Sequence, residues 1–232
     1  MKRIFLISLL ALLSCEGQAL PPEMPELPQF EIPETAEVKQ YEIVSLGKYQ
    51  SRSIDWIVLN VDEDSALLLS KDILSSRPWD VTGANKTYDK SSIRVWLGGE
   101  FTSAAFSEDE KARFLLTDLD NSDQHGCGTP AGADTQDKVF LLSISEMQTY
   151  LPEPLRAVTP TRQAVSQGAY TNGAGECAWW LRSPGMTLTS PAYLASAGSL
   201  GSRAHEVNET IIGVRPAMWV SNHVFEEEFE ND

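Results

Sequence analysis

The side chains of this 232-residue chain that could do chemistry are few: three cysteines, three histidines and one aspartate-rich stretch. Cys127 and Cys177 are separated by 50 positions, which is no metal-ligand spacing, and no His or Cys stands at ligand spacing from either. They read as a structural disulfide, as two free thiols, or as a catalytic pair. Asp118, Asp120 and Asp123, with Asn121 between them and Asp134 and Asp137 beyond, could gather oxygens around a structural Ca²⁺. Their spacing begins like a helix-loop-helix calcium loop, but Asp123 takes the glycine position and Thr129 the position of the bidentate glutamate. A looser calcium site therefore competes with a solvated acidic loop. His125, His205 and His223 are scattered, and none belongs to a His-Glu-x-x-His run, so zinc hydrolysis has no support. No Gly-x-Ser-x-Gly elbow, phosphate loop or dinucleotide fingerprint occurs.

Two further segments concentrate aromatic and cationic groups. Cys177-Ala-Trp179-Trp180-Leu-Arg182-Ser-Pro-Gly185 and Gly213-Val-Arg215-Pro-Ala-Met-Trp219-Val220 each set one Arg near a Pro. Exposed, Trp179, Trp180 and Trp219 could stack on a sugar or peptide; beside Leu181 and Val220 they read as core. Arg182 and Arg215 could bind an anion, or could be buried against a carboxylate or loop carbonyls.

Composition bounds the rest. At 42% hydrophobic residues the chain can bury a core of one domain. A net charge of −15 argues against nucleic acid, which needs clustered Lys and Arg. Lys2 and Arg3 precede an apolar run, Ile4 to Leu13, too short for the roughly 20 residues of a membrane-spanning helix. The run closes on Leu12-Leu13-Ser14-Cys15, which resembles the bacterial lipobox. The expectation is a signal peptide over 1–14 and a lipidated Cys15 that anchors the mature chain to a membrane; secretion after Ala19 is the alternative. Loss of residues 1–14 leaves 16 basic against 33 acidic residues. Residues 15–40 hold Pro21, Pro22, Pro25, Pro28 and Pro33 and read as an extended stalk, at about 3.1 Å per residue. Residues 41–222 carry globular patterning, and 223–232 form an acidic tail.

Short β-prone runs at Tyr41–Leu46, Asp55–Val61 and Ser65–Ser70, separated by Gly47 and by Asp62-Glu63-Asp64, predict an antiparallel meander. Ser91 and Ser92 predict a helix start, with Gly98-Gly99 closing it; short helices follow over 101–106 and from Ser107. Thr117 to Asp137 reads as one long polar loop. Val139–Ser143 reads as a strand, Ile144–Leu151 and Thr161–Gln167 as helices, and Trp179–Leu181, Ala192–Ala195 and Ile211–Val220 as strands.

Several of these segments carry a family resemblance: Trp56-Ile-Val-Leu59, Arg94-x-Trp96-Leu97-x-Gly99-Glu100-Phe101, Asp137-Lys-Val-Phe-Leu-Leu-Ser143, Trp179-Trp-Leu-Arg-Ser-Pro-Gly185 and Gly213-Val-Arg-Pro-Ala217. Over Tyr41 to Ser221 the chain resembles the bacterial domain of unknown function DUF6273. That family's closing pattern is in turn similar to a C-type-lectin-like fold of the formylglycine-generating-enzyme type. The resemblance implies an α+β domain with short antiparallel strands and several short helices, and no established activity. It implies a display surface for a glycan or protein ligand over Ala192 to Glu209, with Tyr193, Ser199, Ser202, Arg203, His205, Asn208 and Glu209 as the residues of interest. Trp179, Trp180, Arg182, Arg215 and Trp219 then become the frame of the domain. The expected function is ligand binding in the cell envelope, outside the cytoplasmic membrane. The alternatives are an oxidase using Cys127 and Cys177, and a structural envelope lipoprotein. Oligomeric state has no signature in the sequence.

Overall fold

Short runs rich in Val, Ile, Leu and Trp favour extended backbone, and here they form the centre of two four-stranded sheets. A computed structural model describes residues 42–122, 131–187, 190–201 and 204–221, all within the unit Gln40–Asp232. The leader, Cys15, the stalk and the acidic tail lie outside the described residues, as do Asp123, His125, Cys127, Ser202, Arg203 and His223.

The first sheet runs in the order β1 (Ile43–Tyr49), β2 (Arg52–Val61), β3 (Ser65–Ser70) and β10 (Ala217–Ser221), all antiparallel. The meander is as predicted, but Gly47 does not end the first strand. It forms a bulge within β1, where φ is +73° and the Phe106 ring leaves no room for a Cβ. The true turn is Gln50-Ser51. In the centre of this sheet Trp56 to Leu59 and Ala66 to Ser70 are buried on both faces, so these strands show no apolar-polar alternation.

Between β3 and β10 in sequence lie the helices and the second sheet. Ser91 caps α1 (Ser92–Trp96) by accepting from Arg94 N. Gly98-Gly99 do not close it: the chain widens into a π turn over Leu97–Phe101 and continues as α2 (Thr102–Ala105). Burial of Leu97 and Phe101 on one side explains the persistence, since the glycines lie on the exposed side. Ser107 and Glu110 form a reciprocal capping box on α3 (Glu108–Ala112).

The two ends of the expected long loop pair as antiparallel strands, β5 (Thr117–Leu119) against β6 (Thr135–Asp137). Val139–Ser143, expected as a strand, makes only the bridge Phe140 to Ala217. Its remaining backbone groups turn to other partners: Leu142 O accepts from Arg182 N at 2.9 Å, and Ser143 caps α4 (Ile144–Tyr150). Thr161 caps α5 (Arg162–Ser166).

The second sheet has the order β4 (Ser75–Ser76), β9 (Gly213–Val214), β7 (Trp179–Thr187) and β8 (Ser190–Leu194). It is antiparallel except where Trp179 meets Gly213 in parallel. The strand expected over Ile211–Val220 is broken at Arg215-Pro216, because β9 belongs to this sheet and β10 to the first. The Arg-Pro pair is thus the point where the chain crosses between sheets. The domain is mixed α+β, with mostly antiparallel strands and five short α-helices among the described residues.

Candidate functional site

The aromatic and cationic segments lie in the interior. Trp179 and Trp180 are fully buried, their indole nitrogens donating to Arg156 O (3.0 Å) and Arg77 O (3.2 Å). Trp219 is half-buried at the edge of the core. Arg215 is 1% exposed and donates to three backbone carbonyls: Ser70 at 2.7 Å, Leu155 at 2.9 Å and Lys71 at 3.4 Å. Its guanidinium sits 5.1 Å from the Trp179 ring centroid. Burial pulls its pKa down to about 9, with the Asp72 carboxylate opposing, so it is a cation at neutral pH. Arg182, also buried, forms a two-pronged ion pair with Glu146 and donates to Leu141 O. It ties β7 to the start of α4.

The residues expected to form a display surface are divided. Tyr193 is buried at 5% exposure, correcting its placement on that surface: its ring lies flat under Gly201, where a Cβ has no room, and edge-on to Trp180. His205 packs edge-on against Tyr193 and pairs with Glu209 at 2.8 Å. Ser199 and Asn208 are exposed. Asp118 and Asp120 are also exposed and already occupied, Asp118 by Gln136 Nε2 (2.7 Å) and Asp120 by Ser122 N (2.7 Å). The backbone and side-chain bonds from Ser122 hold the Asp120 carboxyl below its usual range. Among the described residues no three His, Cys, Asp or Glu side chains are grouped to hold a metal. The Cys177 thiol is fully buried and free, 3.1 Å from Ala178 O, and burial pushes its pKa up to about 11. That is the opposite of what an activated thiolate needs.

A cleft of about 310 Å³ opens elsewhere, between the β1–β2 turn and the start of α5. Tyr49, Ile54, Leu74 and Pro160 supply its apolar lining; Gln50, Ser53, Thr159 and Gln163 offer neutral polar groups. Arg52 projects from β2 and Arg162 from α5. The turn that forms one lip is backbone-strained: Gln50 has φ 51° and Ser51 φ 63°, the left-handed region that favours glycine. Neither Gln-Ser nor a lone Arg on a short helix carries a sequence signal of a site, because the cleft exists only once residues 49–55 and 159–163 are brought together.

The fold and cleft define a small mixed α+β domain with a cleft of mixed polar and apolar lining and an aromatic frame. The chain belongs to the family described as Domain of unknown function (DUF6273), whose model matches residues 63–222. No curated protein and no solved structure matches the chain.

Proposed function

We propose that the chain is a lipid-anchored, extracytoplasmic ligand-binding domain whose binding site is the cleft between the β1–β2 turn and α5. The observation that carries this reading is the combination of that cleft with a strained lip. Non-glycine residues at positive φ cost of order 1–3 kcal/mol each and tend to persist where a site requires the shape. The leader and Cys15 supply the address: a diacylated Cys15 with a proline-rich spacer holds the domain clear of the membrane. Among the described residues no helix is long and apolar enough to cross one. The fold is proposed to be of the C-type-lectin-like, formylglycine-generating-enzyme type, on the strength of the closing Gly213-Val-Arg-Pro-Ala217 crossing. The exposed Ser199 and Asn208 stay as a second contact zone for a glycan or protein. The oxidase alternative is disfavoured by the buried, protonated Cys177.

The test is a binding screen on glycan and protein arrays with wild type and Thr159→Trp, which fills the cleft at an exposed position. Binding is expected to be lost in the variant at unchanged melting temperature. Retained binding would sink the assignment of the site. Mass spectrometry of the N-terminal peptide tests the anchor: a diacylglyceryl thioether on Cys15 is expected, and an unmodified chain beginning after Ala19 would exclude it.

A further inference from the structure

The cleft has four charged side chains in its lining, Arg52, Asp55, Asp72 and Arg162, and at first count it is neutral. Their partners change that count. Asp55 accepts from Ser45 Oγ at 2.9 Å and pairs with Lys71 at 3.5 Å. Asp72 lies in the field of the buried Arg215, whose cationic form it supports. Asp55 is therefore answered by a cation outside the lining, Lys71, while Asp72 makes no ion pair among the described residues. Arg52 and Arg162 are not answered: among the described residues neither guanidinium makes an ion pair or a side-chain hydrogen bond.

An acidic chain of net charge −15 has carboxylates to spare, and among the described residues Arg77, Arg94, Arg156, Arg182 and Arg215 use them or use carbonyls. Arg94 takes both oxygens of Asp137 through Nε at 3.0 and 2.9 Å, Arg182 takes Glu146, and Arg77 reaches Glu100 at 3.2 Å. Two free guanidiniums in one concavity, against the one lining carboxylate that no cation pairs, leave it a local excess of positive charge against the sign of the molecule. A guanidinium presents a planar fork of donors matched to a carboxylate or phosphate, and two forks can engage one oxyanion or two near neighbours. Ser53, Thr159, Gln50 and Gln163 line the same cleft with hydroxyl and amide groups, suited to a ligand that also carries hydroxyls. The volume is at the small end of the ligand-pocket range of about 300–1,000 Å³, enough for a small molecule or the end group of a chain.

We infer that the cleft selects a sugar or small polyol bearing an oxyanion, carboxylate or phosphate, held by Arg52 and Arg162. The inference rests on the cleft being the binding site, and the experiment separates the two claims. Isothermal titration calorimetry on the full chain would use trigalacturonate and glucose 6-phosphate as the charged probes, with galactotriose and glucose as their neutral counterparts. At least one charged probe is expected to bind ten-fold or more tightly than its neutral counterpart. Arg52→Gln and Arg162→Gln are each expected to weaken it ten-fold, and the double variant to remove the preference for charge. Which charged probe responds identifies carboxylate or phosphate as the group recognised. Both positions are exposed, so melting temperatures should be unchanged. Equal binding of charged and neutral probes, insensitive to both substitutions but abolished by Thr159→Trp, overturns the anion inference and leaves the cleft standing. Binding indifferent to all three substitutions overturns both claims, and no binding by any probe overturns the anion inference.

Discussion

Asp80 shows how a single buried carboxylate can hold a loop. It is 2% exposed and accepts from Thr82 Oγ1, Ala84 N, Asn85 N, Asn85 Nδ2 and Ser92 Oγ, folding residues 80–85 around itself. Burial alone would raise its pKa, but the hydrogen bonds from Thr82, Ser92 and Asn85 outweigh it and hold the carboxyl well below the usual carboxylate range. A folded-state pKa below the unfolded value of about 3.9 adds stability that is fully present above that pH. It is lost as pH falls through the folded value. Asp80→Asn is expected to cost about 2–3 kcal/mol at pH 7 in urea unfolding, with the gap to wild type narrowing as pH drops below about 4. A gap that does not change with pH would show that the carboxylate's charge is not the stabilising feature.

Cys177 gives a second residue-level outcome. In a Cys15→Ser, Cys127→Ser chain its thiol, with a pKa near 11, should resist a colorimetric disulfide reagent at pH 8 and react at once in denaturant. Residues of this kind were only half legible in the sequence. The types of Arg215 and Trp179 and their apolar neighbours pointed to the interior, but the three carbonyls around Arg215 come from segments 60 and more positions away and leave no local pattern.

Among the elements, the β1–β2 hairpin is where local preference and observed conformation conflict. A two-residue turn with both φ positive suits Asn-Gly, and Gln50-Ser51 fills it instead. Ser51→Gly is expected to raise stability by roughly 0.5–1 kcal/mol in thermal or urea unfolding, and to loosen the lip of the cleft, weakening whatever the cleft binds. Gly201 carries the reverse case. A Cβ there collides with the Tyr193 ring, so Gly201→Ala should cost about 1–3 kcal/mol by overpacking. The meander, the helix starts at Ser91 and Ser107 and the short helices were legible because their signals are local: apolar runs, paired serines, and Ser107 followed by acidic residues. The misread elements share a different cause. Gly98-Gly99 are carried through a helix by buried Leu97 and Phe101, and Val139–Ser143 divides its hydrogen bonds among β10, β7 and α4. In both, tertiary partners override the local pattern.

At the scale of the whole molecule the family match begins at residue 63, yet β1 and β2 complete the sheet that β3 and β10 begin. A chain cut to 63–222 loses the strand that covers Leu67 to Leu69 on the β2 side, and its buried face would meet water. That piece is expected to aggregate or stay unfolded by circular dichroism, where 41–222 shows one cooperative transition. The α+β class came from the family resemblance, alongside short strand-like and helix-like runs; the strand order was not legible, because it depends on pairings such as Ala217 with Leu69 across most of the chain.

That last pairing bears on when the domain can fold. β10 closes the first sheet, and Arg215, just before it, satisfies carbonyls at the end of β3. Neither sheet is complete until β9 and β10 have been made. A polypeptide built this way cannot close either sheet piecemeal, and its locking step waits for the late strands β9 and β10.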